Sequence, residues 1–171
     1  MSTPTQAVPS AKQQLLETLE QEHAITMRVL RAYPGDKLDL RPHAKSKTAV
    51  ELAGLFAWEP LFAVQGLTTG LDWSAPPAET AELRSMEVIL ESIEEGHGRL
   101  MQVLRDLPEE RLYETLPFPV APGTIADISK LQFIWALVSD QIHHRGQFSV
   151  YLRLADAKVP SIYGPTADEP W

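Results

Sequence analysis

Asp140 and His144 stand four residues apart in an otherwise apolar segment. On a helix that spacing sets a carboxylate and an imidazole side by side on one face. Oxygen and nitrogen donors so placed are metal-ligand chemistry, suited to zinc, nickel, iron or manganese. Two ligands hold a metal weakly, so a working site needs at least one more from another helix. The plainer alternative is a buried histidine hydrogen-bonded to a carboxylate. The chain has no cysteine, which removes disulfides, thiolate ligands and a cysteine nucleophile.

Four stretches of helical periodicity separated by proline- or glycine-rich breaks must position these residues, so the fold class is all-α. The spacing predicts a first helix from about Ala11 to Tyr33, ended by Pro34-Gly35-Asp36. A second should start near Thr48, where Thr48 to Glu51 has capping-box spacing, and run to about Leu67 with Pro60 kinking it. A linker, Thr68 to Ala78, precedes a third helix from about Thr80 to Leu107. The four prolines between Pro108 and Gly123 predict an excursion rather than helix, and the fourth helix should span about Ile128 to Ala155.

That last helix carries two apolar stripes. Phe133, Leu137, Asp140, His144, Phe148 and Tyr151 share one face, and Leu131, Ile134, Val138 and Ile142 share another. Burial of the second stripe predicts a homodimer, the alternative being cover by the excursion or the tail. Gly146 costs helix stability and suggests a close helix contact. Tyr163 in the proline-rich tail reads as an anchor stapling it to the bundle.

At 171 residues, 44% hydrophobic and 22% charged, the chain fits one soluble globular domain. Residues 1–10 read as a flexible N-terminus and 11–171 as that single domain. No signal peptide and no run of the ~20 apolar residues that span a bilayer is evident, so the expected location is cytoplasmic, away from membranes. With 23 acidic residues against 15 Lys and Arg, the formal charge of -8 opposes nucleic-acid binding.

His143-His144-Arg145-Gly146-Gln147, then Tyr151-Leu152-Arg153, then the tail from Val159 to Glu169 resemble the C-terminal signature of the DinB/YfiT-like family. Glu51-Leu52-Ala53, at the start of the second helix, also falls where that family has it. The resemblance implies a four-helix bundle of up-down-down-up order. It further implies a divalent metal held by three histidines, one on the second helix and two spaced four apart on the last. Here only His144 matches: Asp140 and Leu55 stand at the other two positions. Asp140 keeps an oxygen donor, whereas Leu55 removes a ligand.

Two residues are candidates to fill that gap. Glu59 lies one turn beyond Leu55 on the second helix, and His97 comes level with Asp140 if the third and fourth helices are antiparallel. The alternative for His97 is a hydrogen bond to Asp140 or to a backbone carbonyl. Two functions follow. One is a DinB-like protein with a degenerate metal site, acting metal-free as a small-molecule binder or stress-associated protein. The other, which the family implies, is a divalent-metal-dependent hydrolase or thiol-dependent transferase acting on a small molecule.

Overall fold

The structure, a computed structural model, describes residues 8–71 and 85–171. Helix α1 spans Ala11–Arg31, α2 Ala49–Thr68, α3 Met86–Asp106 and α4 Lys130–Leu154. Before α4 come a short 3-10 turn, Glu109–Tyr113, and two strands, β1 (Thr115–Ala121) and β2 (Thr124–Ser129). The linker expected from Thr68 to Ala78 and the first turn expected for the third helix fall largely outside the described residues, as do residues 1–7.

Local chemistry sets the helix starts. Thr48 and Glu51 form the expected reciprocal capping box, with Glu51 Oε2 accepting from the Thr48 amide at 2.6 Å. Ser129 and Gln132 build a second such box at α4. Ser85, in extended conformation, caps α3 ahead of Met86.

Two apolar clusters give the chain directions. The first halves of α2 and α3, through Leu52, Phe56, Met86 and Ile89, share one cluster with the second halves of α1 and α4, through Leu30 and Phe148. The opposite ends share the other, with Leu15, Val64, Leu104 and Phe133. Thus α1 and α4 run one way and α2 and α3 the other, which is the up-down-down-up order. Contacts join α1 to α3 and α4, and α2 to α3 and α4. The α2–α3 approach is close because a Cβ at Gly96 would lie 3.2 Å from Pro60 Cβ.

The excursion after Pro108 is non-helical as expected beyond its short 3-10 turn, and takes the form of a small antiparallel hairpin beside the four helices. Periodicity missed it because Leu116 is the only buried residue of β1, and two prolines interrupt the strand. Pro122 and Gly123, with φ of 69° at the glycine, turn the chain between the strands. Leu116, Phe118 and Ile128 pack on the second cluster.

The two stripes of α4 prove to be the flanks of one broad inner arc. Phe133, Phe148 and Tyr151 on one flank and Ile134 and Val138 on the other are all buried within the chain itself. Ile134 and Val138 therefore need no second subunit to cover them. Gly146 faces outward, and a Cβ there would meet nothing within 4 Å, so no close helix contact explains it.

Candidate metal centre

The two apolar clusters leave a polar layer between them at the waist of the bundle. On α2, Ala57 belongs to one cluster and Ala63 to the other, with Glu59 between them. On α4, Asp140 and His144 lie between Val138 and Phe148. One ligand atom from each of Glu59, Asp140 and His144 lies within 4.8 Å of the other two. Of the four candidates singled out by sequence, these three converge.

Their environments differ. Glu59 is only 2% exposed, and its Oε2 has no hydrogen-bond partner. Burial first, then the charge of Asp140, push its carboxyl up to about 9, with the Gln141 side chain pulling the other way. His144 is mostly buried, its Nε2 3.3 Å from Asp140 Oδ2. Its Nδ1 meets Gln147 Oε1 at 3.0 Å, and Gln147 Nε2 in turn reaches His143 Nε2 at 3.0 Å. An Nδ1–H donated to Gln147 leaves the Nε2 lone pair directed at the carboxylates, the second-sphere arrangement of metal-ligating imidazoles.

Asp140 departs from expectation by sitting half-exposed rather than in the interior. The inner arc of α4 is centred near Gln141, so Asp140 falls on its rim. His97 is a larger correction. Gly96 faces Pro60 of α2, and the next residue, turned about 100° around the helix, faces α1 instead. There His97 stacks on His23 with ring centroids 3.8 Å apart and meets Glu20 at 3.3 Å. It takes no part in the group around Glu59. Leu55, at the position where the family's histidine was expected, packs against the first apolar cluster.

The donor set fits a divalent cation. Two carboxylates and one imidazole supply three ligands and two negative charges, with coordination positions to spare. The buried Oε2 of Glu59 is the feature that points there: burial holds the carboxyl protonated, and a cation taking the proton's place would compensate the charge that burial opposes.

His144 faces a second space. It lines a cavity of about 370 Å³ with Leu52, Gln147, Val150, Tyr151 and residues of the α1–α2 loop. Sequence reasoning passed over that loop because its residues carry no ligand spacing.

Arg145, next in the signature, was also passed over. It is 1% exposed and joins three parts of the chain. Its Nη2 donates to Glu22 Oε2 at 2.5 Å and to the Tyr163 hydroxyl, while Nη1 donates to the Glu22 carbonyl and Thr26 Oγ1, both at 3.1 Å. Tyr163 donates in turn to Glu22 Oε2 at 2.7 Å. The tail is stapled as expected, but through the tyrosine's hydroxyl, since its ring is largely exposed.

The DinB family model matches residues 1–170. The chain belongs to the DinB family. It is 28% identical over 157 residues to the uncharacterized protein YrdA of Bacillus subtilis, covering 90% of this chain and 89% of that one. Among solved structures it is similar to a DinB-like protein of Bacillus cereus, with a TM-score of 0.67, 20% identity, and 87% and 95% of the two chains covered. It is also similar to YfiT of B. subtilis, described as a probable metal-dependent hydrolase with an unusual four-helix bundle topology. There the TM-score is 0.66 at 17% identity, over 92% of this chain and 95% of that one. At such identities these likenesses speak for the DinB fold alone. Among the described residues no helix is long and apolar enough to cross a membrane.

Proposed function

We propose that this DinB protein is a divalent-metal-dependent enzyme acting on a small molecule by hydrolysis or group transfer, with Glu59, Asp140 and His144 as the metal ligands. The observation that carries the reading is the buried Glu59 carboxylate, its Oε2 unpartnered beside Asp140 and His144. The description of YfiT as a probable metal-dependent hydrolase supports it. When bound, the metal supplies Lewis acidity, lowering the pKa of a water or thiol so that it serves as nucleophile near neutral pH. The chain's own residues do the rest. Gln147 orients the His144 ring, Phe56 meets that ring edge-on at 6.5 Å, and Glu59 would release its proton to the solvent on holding a cation. A cytoplasmic location with no nucleic-acid or membrane partner completes this reading; the homodimer loses the support of the second α4 stripe, whose Ile134 and Val138 are covered within the chain.

Elemental analysis of protein purified without chelator, then supplied with zinc, manganese, iron(II) or nickel, tests it. About one metal per chain is expected, lost in Glu59→Gln and in His144→Ala at unchanged fold. Wild-type protein that stays metal-free under all four supplies overturns the reading. That outcome would favour the second one, a metal-free binding or stress-associated protein, for which the replacement of a ligand by Leu55 speaks.

A further inference from the structure

The cavity on the far side of His144 has a floor and a rim of different character. Leu52 and Tyr151 are buried against the first apolar cluster, while Lys47 and Val150 are exposed at the edge. Its volume of about 370 Å³ falls in the range of small-ligand sites. The rim belongs to the segment Arg41-Pro42-His43-Ala44-Lys45-Ser46-Lys47, which has three cations and no acid in a chain of net charge -8. Among the described residues none of Arg41, Lys45 and Lys47 makes an ion pair, although Arg41 and Lys47 are near enough to help hold the Glu51 carboxyl low, whereas most arginines of the four helices are paired to carboxylates.

The loop is also fixed in place. Tyr151 donates its hydroxyl to the Lys47 carbonyl at 2.7 Å, and the amides of Ala49 and Val50 bond back to Leu40 and Leu38 at 2.9 and 3.1 Å. Lys47, exposed and lining the cavity, thus stands on a backbone anchored at its edge. Arg41 is near enough for its charge to act on Tyr151.

We infer that this cavity binds a small carboxylate, its head group on Lys47 with Arg41 behind, its apolar body against Leu52 and Val150, and its far end at His144. The inference rests on the proposed metal centre only for what happens at that far end. A monoanion suits the site better than a phosphate. The nearby N-terminus of α2 is already capped by Thr48 and Glu51, and the Glu51 carboxylate offsets part of the charge of Arg41 and Lys47, which leaves enough for one negative charge rather than two.

The test measures binding of hexanoate, hexanamide and hexylamine to full-length protein by calorimetry, in chelator-treated and in metal-loaded form. Hexanoate should bind both forms, about five- to tenfold tighter than hexanamide, and hexylamine more weakly still. Lys47→Gln should remove most of the preference for the acid and Lys47→Arg should keep it, with melting temperatures unchanged because the side chain is exposed. The inference is overturned if the amide binds as well as the acid, if Lys47→Gln leaves their ratio intact, or if hexanoate binds the metal-loaded form alone. Failure of the metal centre reads out separately, as absent metal in protein that still binds hexanoate.

Discussion

At the scale of single residues, Glu59 concentrates the unusual energetics of the site. A carboxyl that titrates near its ordinary value in the unfolded chain, and at about 9 in the fold, is a group the folded state prefers protonated. The stability it allows is fully present below about pH 4.5 and is lost as pH rises toward 9. Chelator-treated protein should therefore weaken steadily across that window. Glu59→Gln, which keeps the shape without the titration, should weaken far less and be more stable than wild type at pH 9 by about 1–3 kcal/mol. Metal reverses the logic: the cation displaces the proton, so affinity for metal should climb with pH in wild type. Urea unfolding at pH 5, 7 and 9, with and without metal, reads both effects, and parallel slopes for the two proteins would refute the assignment.

Among the elements, α2 shows how tightly the helices constrain the site. A Cβ on Gly66 would lie 2.4 Å from Phe133 Cε1, and Phe133 cannot retreat because Phe62 and Phe118 hold it edge-on at 5.6 and 5.5 Å. Gly66→Ala should lose about 1–3 kcal/mol by overpacking. Gly146→Ala, with open space around it, should instead gain up to about 1 kcal/mol from helix propensity. Equal effects at both glycines in chemical denaturation would contradict this packing. Neither outcome was legible in the sequence, where Gly146 in its signature looked the more constrained of the two. Sequence carries what is local: the Thr48 cap, the spacing of Asp140 and His144, the breaks at Pro34 and Pro108. It does not carry helix rotation. The turn of α3 that sends Gly96 to Pro60 also takes His97 away from Asp140, and α4 is rotated enough to leave Asp140 at the rim. The hairpin stayed hidden for a related reason, since strands paired mainly through their backbones need little apolar alternation.

For the whole molecule, the waist between the two apolar clusters is the organising feature. Glu59, Asp140 and His144 occupy it on one side, His23 and His97 on another, and Glu22, Thr26 and Arg145 between α1 and α4. Polar groups at mid-height of a bundle forbid sliding of one helix along another, because any shift would strand them in apolar surroundings. Arg145 extends this registration to the C-terminal tail, which other contacts also hold: Arg28 to Glu169 at 2.6 Å and Arg153 to Asp168 at 2.5 Å. Two variants separate the clamp's roles. Arg145→Ala leaves the Glu22 charge buried without a counter-charge, held only by the Tyr163 hydroxyl, and should cost about 3–5 kcal/mol of global stability. Tyr163→Phe keeps the Arg145–Glu22 pair and loses only the bonds to the tail, for a global cost of about 1 kcal/mol. Its signature should be local: faster amide hydrogen exchange from Val159 to Glu169, with α1 and α4 still protected. If Tyr163→Phe instead loosens α1 as much as Arg145→Ala does, the tyrosine is part of the core ion pair rather than the link between it and the tail.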